Sequence, residues 1–280
     1  MPALYDAIGA GYGTTRCADP DIADTLARHL ALRDDADYLD LACGSGNYTA
    51  ALAARGGRWS GLDVSTTMLE QARHKGAAVH WLHGDAAAPP FADSRFDGVL
   101  CTLAIHHFTS LDAPFAQAHR VLRQGGRFVI FTAFAEQMRH YWLGRYFPQM
   151  MARSIEKMPA QGVVQAALHA AGFTHIETQP YFVTPQLQDL FLYAAKQRPA
   201  MVLDAAVRAN ISSFATLCPA DELAAGLDAL RADLASGRWA GVPLDAPTLG
   251  DYAFVIAHRQ RSVGRSGLTA RPPAYARRTG

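Results

Sequence analysis

Between residues 37 and 133, five short apolar runs alternate with segments of helical pattern. That alternation restricts the chain more than any other feature. The runs are "DYLDLA" at 37–42, "RWSGLDV" at 58–64, "AVHWLHG" at 78–84, "FDGVLCT" at 96–102 and "GGRFVIFTA" at 125–133. Between them "GNYTAALAARG", "TTMLEQARHKG" and "DAPFAQAHRVLRQGG" read as helices, the last two closed by glycine stops. Short, mostly apolar strands joined by helical crossovers suit a sheet covered on both faces. The pattern predicts repeated βαβ units, hence an α/β fold with a Rossmann-like, mostly parallel sheet and helices on both faces.

Beyond residue 133 the rhythm changes. Residues 134–158 are dense in aromatics and methionine, 160–171 look like a further sheet-covering helix, and "FTHIETQPYFV" reads as a sixth strand. A long helical stretch follows at 186–236, in which Leu223, Leu227, Leu230 and Leu234 fall on one helix face. "DYAFVIAHR" at 251–259 supplies a seventh strand. The expected organisation is N-terminal lid helices at 1–35, an α/β domain at 36–260 with insertions at about 134–160 and 186–248 forming a helical cap, and a disordered or weakly packed tail at 261–280.

Half of the 280 residues are apolar, enough for a sizeable core. The formal charge is +1, and the last twenty residues hold five arginines and no acid, so the body carries −4. A mildly acidic body argues against a nucleic-acid partner, whose backbone is bound by clustered Lys and Arg. No run of eighteen apolar residues occurs and "MPALYDAIGAGYGTTR" lacks the regions of a secretory signal, so the expectation is a cytoplasmic protein with no membrane partner. Cys17, Cys43, Cys101 and Cys218 lack CxxC spacing and read as free thiols. Monomer and homodimer both remain open.

The first βα junction, "YLDLACGSGNYTAALAARG" at 38–56, carries the chemistry. A strand ending in a glycine turn that opens a helix brings backbone N–H groups close to a ligand, and Gly44 and Gly46 suit that role, although a purely structural turn would use glycines too. Asp63 ends the second strand, where one carboxylate can hold both hydroxyls of a ribose. Asp85 ends the third, where it could accept from an exocyclic adenine amine. Either acid alone could instead be a helix N-cap. A dinucleotide loop shows G-x-G-x-x-G, whereas Thr49 stands three residues after Gly46 and Asp40 precedes the loop, an acid better suited to a cationic ligand than to pyrophosphate.

Here the chain resembles the class I S-adenosylmethionine-dependent methyltransferases, in particular the small-molecule type 11 branch. The matching pieces are "LDLACGSG", "GLDVSTTMLEQA", "GDAAAPPFADSRFDGVLCTLAIHHF" and "AHRVLRQGGRFVI", in the family's order over residues 38–131. The resemblance implies a seven-stranded sheet with an antiparallel last strand, S-adenosyl-L-methionine as cofactor and S-adenosyl-L-homocysteine as product. It gives Gly44 and Gly46 the cofactor loop, Asp63 the ribose, Met68 the adenine face, and Asp85 with Ala86 the adenine edge. Asp40, Ala42, Cys43, Val64, Gly84, Thr102, Leu103 and His107 complete the expected cofactor wall. Ala42 departs from the family, which often has its first glycine there; the difference bears on loop geometry. "YDAIGAGYGTTRCADPDIADTLARHL" is similar to that branch's lid, so Tyr5, Tyr12 and Arg16 are expected to close over the cofactor, with Arg16 gripping its carboxylate through a bidentate contact.

An activated methyl group asks mainly for an in-line nucleophile and exclusion of water. His106 and His107, in "LAIHHF" after the fourth strand, are the candidate catalytic residues; His107 is favoured as a general base, an ordinary histidine pKa being about 6.5. One of the pair could equally pack beneath the loop. Acids and histidines at ligand spacing do not accompany the strand ends, so no metal is expected. Tyr5, Phe134, Met138, Arg139, Tyr141, Trp142 and Arg145 are the candidate acceptor pocket, although an amphipathic helix burying one face would show the same residues. The reading is transfer of a methyl group to oxygen or nitrogen of a small organic molecule. The alternatives are a nucleic-acid methyltransferase, disfavoured by the acidic body and by "CTLAIHH" after strand four, and a non-catalytic cofactor-binding protein on the same scaffold.

Overall fold

The computed structural model describes residue 13, residues 15–241 and residues 248–260. The expectations for Tyr5, Tyr12 and the 261–280 tail lie outside the described residues. The seven strands are β1 (Asp37–Leu41), β2 (Arg58–Asp63), β3 (Val79–His83), β4 (Phe96–Thr102), β5 (Leu122–Thr132), β6 (His175–Tyr181) and β7 (Tyr252–His258). They form one sheet in the order β3-β2-β1-β4-β5-β7-β6. The first five pair in parallel, and β7 runs antiparallel to both β5 and β6. The antiparallel strand is therefore last in sequence but lies between two others.

The helices in chain order are α1 (Pro20–Leu30), α2 (Asn47–Ala53), α3 (Thr66–Arg73), α4 (Asp112–Val121), α5 (Ala135–Met138), α6 (Pro148–Lys157), α7 (Gln161–Ala170), α8 (Ala205–Ala209) and α9 (Ala220–Ala235). Period-two alternation sorts strand side chains between two cores. Leu100, Val129 and Phe131 pack with Ile22 and Leu26 of α1 and Leu52 of α2 on one face. On the other, Val99, Phe128 and Ile130 pack with Phe115 of α4 and Leu168 of α7. Among the described residues no helix is long and apolar enough to cross a membrane.

One boundary differs from the sequence reading. Gly125 and Gly126 do not stop a helix: α4 ends at Val121 and β5 begins at once at Leu122. The register against β4 shifts between Phe96 and Gly98, and Gly125, at φ +80°, gives its N–H to the Arg259 carbonyl at 2.7 Å. The glycines serve an irregular strand entry that follows the helix without a loop.

The two late insertions pack on each other. Glu222 of α9 accepts the N–H groups of Gln149 and Met150 at 2.6 and 3.0 Å, so a carboxylate caps the N-terminus of α6. Phe147 meets Phe214 edge to face at 5.1 Å between centroids, and the Tyr146 hydroxyl donates to Asp233 at 2.8 Å. Leu227 and Leu230 are buried, with Leu223 and Leu234 packed against the same core, which accounts for the leucine stripe.

Candidate active site

The strand order reverses between β1 and β4, and at such a switch point the loops diverge and leave a crevice at the carboxyl edge. A cleft of about 880 Å³ lies there, lined by residues from the ends of β1, β2, β3 and β4. After β1, Ala42, Gly44 and Gly46 all have left-handed backbone, at φ 63°, 54° and 69°. An L-residue pays for that conformation and glycine does not, which explains the strain at Ala42 and the choice of glycine at the other two. A Cβ on Gly44 would meet nothing within 4 Å, whereas one on Gly46 would lie 2.4 Å from Trp81 Cη2. Gly44 faces the cleft; Gly46 faces the sheet and is absent from the cleft wall.

Asp63 lines the cleft and also holds two loops. Its Oδ2 accepts the Gly44 N–H at 2.7 Å and its Oδ1 the Ser65 N–H at 2.8 Å. The exposed Asp85 carboxylate accepts the Ala87 N–H at 2.8 Å, and Ala42, Cys43, Val64, Met68, Gly84, Ala86, Thr102 and Leu103 stand on the cleft wall. Val64 is 56% exposed there, an apolar surface open to the cleft. Asp40 requires correction. It is buried beneath the loop, its Oδ2 accepts the Thr49 hydroxyl at 2.6 Å, and its Oδ1 has no partner. Burial raises its pKa to about 7, with the Thr49 bond opposing and Asp63 adding. It does not line the cleft.

Arg16 is already paired within the protein. Its guanidinium fork is engaged by Asp189, with Nε donating to Oδ1 at 2.5 Å and Nη2 to Oδ2 at 3.2 Å, and the Tyr48 hydroxyl donates to the same Oδ2 at 3.2 Å. Leu190 N–H to Thr15 O at 3.2 Å and Gln188 N–H to Asp19 Oδ2 at 2.9 Å fasten the same two segments. The Nε/Nη2 edge of Arg16 thus grips a protein carboxylate, while Arg16 still lines the cleft.

A smaller chamber of about 90 Å³ adjoins the cleft, and the two share Arg16, Leu103, His106, His107 and Lys157. His106 and His107 lie in a 3₁₀ turn with ring centroids 4.0 Å apart, and the Nδ1 of His106 is buried without a partner. Leu103, just before that turn, is itself left-handed at φ 51°. Burial first, and the Lys157 charge second, lower the His107 pKa to about 4. Burial, His107 and Lys157 lower that of His106 further. Both rings are neutral at pH 7, and the ordinary pKa expected for His107 is corrected accordingly.

The aromatic run is mostly core. Tyr141 stacks on Tyr193 at 3.8 Å and its hydroxyl donates to the Leu192 carbonyl at 3.0 Å. Trp142 packs edge-on against Trp239, and Phe134 belongs to the core of the opposite sheet face. Arg139 is exposed, and Arg145 pairs with Asp233 at 3.4 Å. Of the expected acceptor residues in the described chain, Met138 alone lines the chamber. Phe191, Ile211, Ser213, Thr216 and Tyr252 line it instead, and Asp189 and Lys157 join the walls. Sequence reasoning missed them because they come from separate insertions and share no local pattern. The π-helical turn at Ser213–Leu217, a form frequent at functional sites, leaves no recognisable sequence signal.

Among the described residues, His175, Glu177 and His258 form a group able to hold a metal ion. His258 pairs in register with Arg127 at the start of the parallel part of β5, so the group lies at the sheet edge opposite the cleft. Two of its members bond to each other, with His175 Nε2 2.8 Å from Glu177 Oε1, and His258 Nε2 lies 3.6 Å from the same oxygen.

A methyltransferase domain model matches residues 39–130. The structure of a protein assigned as a methyltransferase from an antibiotic biosynthesis pathway in Anabaena variabilis superimposes with a TM-score of 0.77 at 31% identity, over 87% of this chain and 98% of that one. The chain belongs to the class I S-adenosylmethionine-dependent methyltransferases. It is 30% identical to 2-phytyl-1,4-naphtoquinone methyltransferase of Thermosynechococcus vestitus, over 54% of this chain and 78% of that protein. It is 38% identical to malonyl-[acyl-carrier protein] O-methyltransferase of Pseudescherichia vulneris over 40% of this chain, and there it spans less than half, 45%, of the relative's length. The cleft of this methyltransferase fits the family's cofactor on its own geometry. Its volume lies within the roughly 300–1,000 Å³ of small-molecule sites, the space beside Gly44 is what a Cβ would fill, and Val64, Met68 and the Asp85 carboxylate line the same cleft.

Proposed function

We propose that this chain transfers a methyl group from S-adenosyl-L-methionine to an oxygen or nitrogen of a small organic acceptor, by in-line displacement and without a metal, leaving S-adenosyl-L-homocysteine. The single observation that carries the reading is the wall common to two cavities: Leu103, His106 and His107 border both the glycine-loop cleft and the smaller chamber. The bound cofactor supplies an activated methyl group on a positively charged sulfur. Gly44 keeps the loop open to a ligand, Asp63 fixes that loop and presents its carboxylate edge to the cleft, and Met68 and Val64 cover an apolar ring. Leu103 and the histidine turn hold cofactor and acceptor compartments against each other, and the helical insertions keep water from the chamber. With a pKa of about 4, His107 can accept a hydrogen bond from an acceptor but is far from the near-neutral pKa at which a general base works best. Positioning therefore carries most of the catalysis in this reading, and the protein acts on small molecules, with neither nucleic acid nor membrane as partner. The domain plan of the sequence reading, an α/β body under a helical cap, is part of the same proposal.

Titration with S-adenosylhomocysteine and with NAD tests the donor site: binding of the first and not the second is expected, and the reverse would overturn the reading. Incubation with labelled S-adenosylmethionine and extracted metabolites, with and without a chelator, should yield a product heavier by one CH₂ at unchanged rate. Loss of transfer on chelation would remove the metal-independent part.

A further inference from the structure

The wall between cleft and chamber holds one cation without a partner. Lys157, the last residue of α6, lines both cavities and makes no hydrogen bond or ion pair among the described residues. The neighbouring cation, Arg16, is matched by Asp189. Among the described residues no aspartate or glutamate lines the chamber itself, whose remaining described wall is apolar or hydroxylic, as with Met138, Phe191, Ile211 and Thr216. A cationic acceptor would meet an uncompensated like charge there. An anion would meet its counter-charge at the mouth of the chamber and apolar surface beyond it.

We propose, resting on the methyl-transfer reading above, that the acceptor is a carboxylate: a small organic acid whose anion is bound by the Lys157 ammonium where the two cavities meet, and which leaves as its methyl ester. One acceptor oxygen forms the C–O bond to the methyl carbon as the S–C bond breaks, and that bonding pair stays on sulfur. Carboxylate and sulfonium become ester and thioether, both neutral, and no proton moves. The histidine turn agrees with this. A phenol or an ammonium group needs a base to release its nucleophile, whereas His106 and His107 are held weakly basic by burial and by Lys157 itself. A carboxylic acid is already ionised at neutral pH. A chamber of about 90 Å³, several times the roughly 10–15 Å³ that one water needs, suits a small group such as a phenyl ring or a short acyl chain.

The test uses the full chain, labelled S-adenosylmethionine and matched probes: benzoate, phenylacetate and hexanoate beside the alcohol, amide and amine of each skeleton. The acids are expected to take up alkali-labile label, as esters do, at least about tenfold faster than their isosteres. Lys157→Met should raise KM for the preferred acid by about tenfold or more and weaken benzoate binding to the enzyme–S-adenosylhomocysteine complex equally, with Lys157→Arg restoring most of both. Affinity for S-adenosylhomocysteine alone should stay within about threefold in both variants. Alkali-stable label on alcohols or amines, unchanged acid binding in Lys157→Met, or S-adenosylhomocysteine binding with none of the acids methylated would overturn the carboxylate assignment and leave the donor site standing. Failure of the wild-type protein to bind S-adenosylhomocysteine would instead remove the methyl-transfer reading beneath it.

Discussion

Gly46 rests on the indole of Trp81, so that a methyl group added at Gly46 would lie 2.4 Å from Cη2 and 2.8 Å from Cζ3. Trp81 is on β3 and reaches across Gly61 of β2, where a Cβ would also stand 2.5 Å from its ring. One large side chain thus fixes how closely the glycine loop approaches the sheet. Two glycines in two different elements make room for it.

Gly46→Ala should cost about 2–5 kcal/mol, the sum of a left-handed alanine and an overpacked contact. Chemical denaturation should record the loss, and S-adenosylhomocysteine affinity should fall with it because the loop moves. Adding Trp81→Leu should recover the contact part and not the backbone part. No recovery would mean that the clash with Trp81 is not what selects glycine.

Asp63→Ala should lower both cofactor affinity and stability, because Gly44 and Ser65 lose the acceptor for their N–H groups. The expected stability loss is about 1–3 kcal/mol. Isothermal titration and thermal unfolding read the two effects separately. An unchanged melting temperature alongside weakened binding would restrict Asp63 to ligand contact.

His107 and Asp40 should give pH dependences of opposite sign. The folded pKa of His107 is lowered to about 4 from 6.5, so between those values the unfolded chain binds the extra proton and stability falls as pH falls. The folded pKa of Asp40 is raised to about 7 from 3.8, so there the folded chain holds the extra proton and stability falls as pH rises. Across pH 4 to 7, denaturation should show His107→Asn making the slope of stability against pH more negative than in the wild-type protein, and Asp40→Asn making it more positive. Parallel profiles for the two variants would contradict both assignments.

Lys196→Met should destabilise the protein by about 3–5 kcal/mol, since among the described residues it leaves the buried Asp251 carboxylate with the Val183 N–H as its remaining partner. In the native protein the ammonium lies 2.7 and 2.8 Å from the two carboxylate oxygens, and both side chains are nearly inaccessible. Exchanging both residues for apolar ones should be much milder, as denaturant midpoints would show.

The chain's local pattern determined the parts whose physics is local. Period-two apolar runs and helical crossovers specify a doubly wound sheet, and the order of βα junctions brings Gly44, Asp63 and Asp85 to one edge of it. Left-handed backbone demands are local too, which is why "ACGSG" could be read at once as a turn, with Ala42 standing out. Only the tertiary structure decided what faces what. Asp40, adjacent to the loop in sequence, turned inward to Thr49, and Arg16 found Asp189 173 residues away. Tyr141 and Trp142 filled a core, while Lys157, unremarkable in sequence, came to border both cavities. Aromatic density signals burial whether the buried surface faces a ligand or another helix. Which of the two it faces depends on contacts between segments far apart in the chain, and no spacing within one segment encodes them.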